Sequence, residues 1–270
     1  MTIMEKARKG QSTKEIKAVA KIEGIPEKTL IERIANGTAV IPINKKHKGV
    51  EAGGVGLGLS TKVNANIGTS RDRCSISFEK KKLSAALAAG ADAVMDLSTG
   101  GDIHAIRKAI IAECPKPIGT VPVYEVLVRS AKKSLSKLSM DPEILFETIE
   151  QHAEDGVDFM TIHAGLTMHA IELLRKQKRI TGIVSRGGSF LAAWMCQNKR
   201  ENPLYEDFDR VLSICKKHDV VISLGDGLRP GSLADATDRA MMQEMITLGE
   251  LSARCRKAGV QAIIEGPGHM

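Results

Sequence analysis

Residues 185–188 read Ser-Arg-Gly-Gly. They join a hydroxyl, a planar guanidinium and two glycines whose backbone N–H groups any ligand can approach. At the start of a helix, that set suits a phosphate. Residues 226–229 read Asp-Gly-Leu-Arg, and here Asp226 can accept from a ribose hydroxyl while Arg229 donates two parallel hydrogen bonds to a phosphate or carboxylate. The plainer reading of the same pair is a structural Asp–Arg contact. Asn66 can donate to and accept from a heterocycle edge. Tyr124 and His163 suit polar contacts or proton transfer. Glu265 can pair with an amine, and Met95 can pack on an apolar ring face or simply fill a core. His269 follows Glu265 by four residues and could ligate a metal, although a zinc site takes three or four protein ligands.

These residues share a place in the chain's rhythm. From residue 60 on, short apolar or β-branched stretches alternate with helical patterns. Candidate strands fall at 62–67, 93–97, 118–123, 158–162, 182–184, 220–224 and 260–264. Each runs into a polar or glycine-rich segment. A (β/α)8 TIM-type barrel brings strand C-termini to one mouth, so the pattern predicts an α/β barrel with seven of its eight strands present. An open doubly wound sheet is the rival. Residues 60–270 are read as the incomplete substrate-binding barrel, and residues 1–59 as a small helical extension with a linker. In that extension Ser12 and Glu15 form a capping box, Pro26 opens a second helix and Gly37 ends it. The run GGVGLG lacks the flanking strand and helix of a dinucleotide fingerprint. Further along, Asp141-Pro142 opens a helix and Gly259 closes the last one, striped by Met241, Met245, Leu248 and Cys255.

The 270 residues carry a net charge of +7, suited to a phosphate-bearing ligand. Aromatics are only 3%, with no basic tract among them, which argues against nucleic acid. Lys80-Lys81-Lys82 and Lys132-Lys133 read as solvated helix faces. No apolar run reaches the length of a membrane span and no signal peptide opens the chain, so a cytoplasmic protein is expected. The five cysteines are too far apart in sequence for a metal pair, and their odd number and spacing argue against a disulfide framework. Cys215 falls on an apolar stripe with Phe208, Val211 and Leu212.

In order, KVNANIGTS, MDLSTGGDI, PVYE, VDFMTIHAG, GIVSRGGSFLAAWM, SLGDGLRPGSLADATD and EGPGH resemble the segments that mark the phosphomethylpyrimidine synthase family of thiamine biosynthesis. The resemblance covers nearly the whole chain. It implies a lyase that binds aminoimidazole ribonucleotide in a barrel. It also implies a C-terminal domain with a 4Fe–4S iron cluster on three cysteines, which cleaves S-adenosylmethionine to a radical that rearranges the nucleotide into the pyrimidine phosphate. By motif, the substrate contacts are Asn66, Met95, Tyr124, His163, Ser185, Arg186, Gly187, Asp226, Gly227, Leu228, Arg229 and Glu265, and His269 is one of two zinc ligands. A homodimer is implied as well. The family's pattern continues past EGPGH into the cluster cysteines and the second zinc histidine. The expectation is therefore an incomplete piece or one half of a split gene, inactive alone. Rival readings are a paralogue that makes hydroxybenzimidazole from the same nucleotide and a non-catalytic nucleotide-binding fragment. A barrel aldolase would want a lysine at a strand end, whereas Lys62 sits at a strand start.

Overall fold

A computed structural model describes residues 1–133 and 140–266, with the side chains of 131–133 left out. Helices α1 (Ile3–Arg8), α2 (Lys14–Glu23) and α3 (Glu27–Asn36) open the chain, and strands β1 (Ala39–Val40) and β2 (Val55–Gly56) pair antiparallel after them. There follow β3 (Asn64–Ile67), α4 (Ile76–Ala88), β4 (Ala93–Asp96), α5 (Ile103–Glu113), β5 (Ile118–Thr120), α6 (Pro122–Lys133), α7 (Glu143–Asp155) and β6 (Phe159–Ile162). The remainder is α8 (Met168–Gln177), α9 (Arg186–Asn198), α10 (Pro203–Glu206), α11 (Phe208–His218), β7 (Val221–Leu224), α12 (Arg239–Ala258) and β8 (Ala262–Ile264).

Strands β3 to β8 form one parallel sheet in chain order, so the fold is α/β. Alternation along each strand sorts the two faces. Val94, Ile118, Met160, Ile162, Ile222 and Leu224 are buried toward the helices. The other face carries Asn64, Asn66, Met95, Gly119, Phe159, Thr161, Ser223 and Ile263 at matching register positions. Gly119 is required there: a Cβ would sit 2.1 Å from the Phe159 ring, which lies across it. Six flat strands would set the edges roughly 24 Å apart at the usual strand spacing of ~4.8 Å. Yet Asn64 of β3 and Ile263 of β8 line the same cavity of about 400 Å³, with Met95, Phe159, Ser223 and Glu265. The sheet is therefore strongly curled around its polar face. Among the described residues it does not close, and β3 and β8 remain its edges.

The expected strand at 182–184 does not form. β6 and β7 pair directly along four residues and leave no place between them. Gly182 takes φ +61°, which breaks the extension, and the amides of Ile180 and Thr181 donate to Asp235 rather than to a sheet neighbour. The third strand is also shorter than expected. It ends at Thr120, and Pro122 opens α6, so Tyr124 lies in a first helical turn.

The N-terminal helices have their own apolar cluster, built on Met4, Ile16, Val19, Leu30 and Ile34. They close the end of the sheet where its strands begin. Thr2 Oγ1 donates to the Gly259 carbonyl at 2.6 Å, and Ile3 N donates to Asp219 at 2.8 Å. Buried Asp158, ahead of β6, accepts from Asn44 N and Ile118 N and lies 2.7 Å from His47 Nδ1. The strands finish at the opposite end.

Helix α2 is capped one residue later than the sequence suggests. Thr13 accepts from Ile16 N at 3.2 Å, while Ser12 bonds Glu27 instead. Thr13→Ala is expected to cost about 1 kcal/mol and Ser12→Ala close to nothing, read by urea denaturation. Equal losses would contradict that assignment of the cap. The other helix ends fall near the expected positions. Gly37 and Gly259 take left-handed C-caps, and Asp141 accepts from Glu143 N at the start of α7. Phe208, Val211, Leu212 and Cys215 are all buried.

Candidate functional site

The segment after β6 brings His163 to the mouth, where three glycines surround its ring. A Cβ on Gly187 would lie 2.5 Å from its Cε1, and one on Gly225 3.1 Å from its Cδ2. Ser185 caps α9 by accepting from Gly188 N at 3.1 Å, and its Oγ lies 3.4 Å from His163 Nε2. Gly188 in turn presses on the loop after β7: a Cβ there would sit 2.1 Å from the Gly227 carbonyl. Only glycine allows α9 to bring its N-terminal amides this close to that loop.

Arg229 Nη1 donates to Asp226 Oδ1 at 2.9 Å, so the structural pairing weighed from sequence is present. Asp226 is buried and Arg229 half-buried. Arg186 stacks over the Tyr124 ring, 5.3 Å from its centroid. Glu265, just past β8, accepts from Thr161 Oγ1 and Ser223 Oγ, both at 3.0 Å, and from Asp226 N at 3.4 Å. Its partners here are hydroxyls and an amide. Asn66 and Met95 are neighbours across β3 and β4 on the same curled face. Leu228 differs from the rest. Its side chain is buried in the core, so only its peptide faces the loop. The chain thus brings Tyr124, His163, Ser185, Arg186, Gly187, Asp226, Gly227, Arg229 and Glu265 together at the strand ends, while Met95 lines with Glu265 a cavity whose other walls include Pro42, Val55 and Lys62. His269 lies outside the described residues.

Burial sets the electrostatics. It pushes the Tyr124 phenol up, against the pull of Arg186 and Arg229. It raises Asp226 against the same pull from Arg229. It drives His163 down to about 4, leaving a neutral ring whose Nδ1 has no partner among the described residues. That ring is a hydrogen-bonding group at neutral pH, not a cation. His152, buried beside Arg107, also falls to about 4. In the unfolded chain both take up protons near 6.5, before the folded protein does. Their contribution to stability is therefore full above about pH 6.5 and lost as pH drops toward 4. Nitrogen-15 imidazole spectra at pH 6 are expected to show His163 neutral in one tautomer, and a protonated ring there would refute this environment.

Four supporting side chains were not legible as site residues. Glu79 accepts from Gly68 N at 2.9 Å, and Lys82 donates to the Gly68 carbonyl at 2.6 Å, fixing the turn after β3. Lys82 is thus more than the solvated face expected of its lysine run. Buried Arg107 donates to Glu125 at 2.6 Å and to Asp155 at 2.7 and 2.9 Å, holding the α6 turn that presents Tyr124. Burial opposes the Glu125 charge, but His152 and Arg107 hold its carboxyl down to about 2. Glu244 of α12 lies under the 225–229 loop. The available signal was a charge set within a helix's apolar stripe, as Arg107 is between Ile106 and Ile110.

A family model for the Radical SAM ThiC family matches residues 2–270. The chain belongs to that family. It is 53% identical over its 270 residues to the phosphomethylpyrimidine synthase of Desulforudis audaxviator, and 54% identical to that of Moorella thermoacetica. The enzyme of the same name in Carboxydothermus hydrogenoformans is 50% identical over the same span. All of this chain is covered each time, against 62%, 62% and 63% of those relatives, so it spans less than two thirds of their length.

The cysteines present do not fit an iron–sulfur cluster. Cys114, Cys215 and Cys255 are buried. Burial raises the Cys215 thiol strongly and the Cys255 thiol to about 12, the reverse of what a metal thiolate needs. Among the described residues the one group with metal-like geometry is Glu150, Glu154 and His218, which contains no cysteine. Lys217 already pairs with both of its glutamates. No described helix is long and apolar enough to cross a membrane.

Proposed function

We propose that this chain is the substrate-recognition part of a phosphomethylpyrimidine synthase. The whole protein would rearrange 5-amino-1-(5-phospho-D-ribosyl)imidazole, with S-adenosylmethionine, into 4-amino-2-methyl-5-(phosphomethyl)pyrimidine for thiamine biosynthesis. The observation that carries this is the approach of the α9 N-terminus to His163 and the 225–229 loop, made possible by Gly187 and Gly188. Family membership supplies the chemistry that such a site would serve.

In this reading Ser185, Arg186 and Gly187 take the phosphate at the start of α9, where the first amides of a helix have no partner within it. Arg186 supplies the charge and the Tyr124 ring holds its plane. Asp226 and Arg229, with the backbone of Gly227 and Leu228, take the ribose. Neutral His163 offers one hydrogen bond without adding charge. Asn66 and Met95 take the edge and face of the imidazole, and Glu265 its amino group. The described cysteines do not fit a cluster. Cluster ligation and adenosylmethionine cleavage are assigned to the length of the relatives that this chain does not match. His269, the zinc ligand in this reading, lies outside the described residues.

The same reading takes the curled sheet as part of an eight-stranded (β/α)8 barrel, with residues 1–59 as a separate helical extension and 60–270 as barrel. A homodimeric, cytoplasmic enzyme goes with it. Isothermal titration tests the reading. The chain is expected to bind aminoimidazole ribonucleotide one to one. With iron, sulfide and adenosylmethionine added, it should show neither cluster absorbance nor adenosylmethionine cleavage. Lack of binding by folded chain, or robust turnover, would overturn it.

A further inference from the structure

The loop at residues 225–229 must hold Asp226 and Arg229 in place, yet it belongs to no helix or strand. Its backbone is gripped on both sides of one residue. Leu228 N donates to Glu244 Oε2 at 2.7 Å, and the Leu228 carbonyl accepts from Arg179 Nη2 at 2.6 Å. Arg179 is itself fixed on both oxygens of Asp238, at 2.5 and 2.7 Å. Asp238 caps α12 and Glu244 stands on the same helix, so one helix holds the peptide groups on both sides of Leu228.

Glu244 is a costly way to do this. Its side chain is 1% exposed, it lies on the stripe of Ala240, Leu248, Leu251 and Cys255, and its Oε1 has no protein partner. An apolar residue would pack there without the desolvation cost of a carboxyl. Stability alone does not account for it, whereas a fixed loop does. Pre-ordering a binding loop removes ordering entropy from the binding step.

We infer that Glu244 and Arg179 are positioning residues, which clamp the backbone on either side of Leu228 so that Asp226 and Arg229 meet the nucleotide; this rests on the binding reading above. Two charged groups act on the Glu244 carboxyl: Asp226 on the loop after β7 repels its charge, and Arg179 beyond α8 attracts it. Burial pushes the Glu244 acid up to about 8, against the pull of the Leu228 amide, so at pH 7 it clamps the loop as the uncharged acid. Above that pH it adds a negative charge behind the loop, beside Asp226, and weakens the hold on an anion.

Amide hydrogen exchange and titration with aminoimidazole ribonucleotide, from pH 7 to 9, test the clamp on the full chain. In Glu244→Ala the Leu228 amide is expected to exchange roughly 100-fold faster, about what losing a buried acceptor allows, and affinity to fall about 10-fold. Val221 and Leu224 in β7 should stay protected, showing that the sheet persists. Glu244→Gln keeps an acceptor without a charge. It should stay within about 3-fold of wild type in both readings and lose the decline in affinity between pH 7 and 9. A Leu228 amide still protected in Glu244→Ala would overturn the clamp. So would a loosened loop that binds as wild type does, or a glutamine variant that keeps the pH decline. If wild-type chain binds no nucleotide, the binding reading falls, and the exchange data alone decide the clamp.

Discussion

Replacing Arg107 with alanine is expected to lower the free energy of unfolding by about 3–5 kcal/mol, the cost of leaving buried charge without its partner. The guanidinium is 1% exposed and holds Glu125 and Asp155 within 3 Å, while His152 Nε2 lies 2.9 Å from both Arg107 Nη1 and Glu125 Oε2. Removing it strands two carboxylates between α5, α6 and α7. Arg107→Lys keeps the charge but not the planar fork, and should recover only part of the loss. Urea denaturation reads both variants, and a loss below about 1 kcal/mol for the alanine would show that the network matters little. The consequence reaches the site, because the same turn of α6 carries Glu125 and Tyr124.

Arg186→Ala is expected to act in the opposite sense, on binding rather than on stability. Arg186 is exposed, and the contact described for it is with the Tyr124 ring. Unfolding should change by no more than about 0.5 kcal/mol, as for most surface substitutions. Affinity for aminoimidazole ribonucleotide should fall about 100-fold, near 2.7 kcal/mol, for the loss of a bidentate, charge-assisted phosphate contact. Arg186→Lys should restore only part of it, because a point charge cannot reproduce the fork. Unchanged affinity in the alanine variant would remove the phosphate from the start of α9.

The site was legible where chemistry sits at a strand end in consecutive residues. Asn66 lies within β3, and His163, Asp226 with Arg229, and Glu265 follow strands whose apolar character marks them well. The stretch at 182–184 carries the same apolar character, but strand pairing is decided by neighbours the local sequence does not contain. With β6 and β7 already paired, it became the connection that delivers Ser185 to α9. Curling of the sheet was implied by the repeat, and its local mark is Gly119, whose missing side chain gives Phe159 room on the inner face. The supports were harder to see. Arg107, His152 and Glu244 are polar residues within apolar helical stripes, and a polar residue there reads as an irregularity until its partners on other helices are known.

The central claim is that a phosphoribosyl imidazole lies on the curled inner face with its ring against Met95. Carbon-13 methyl spectra of the methionines, followed as aminoimidazole ribonucleotide is added, test it most directly. The chain has 11 methionines, and Met4, Met160 and Met195 are fully buried references. The account predicts that the Met95 methyl shifts and saturates at one equivalent while those three stay in place. A saturating titration that leaves Met95 unmoved, or no response from any methionine, would contradict it.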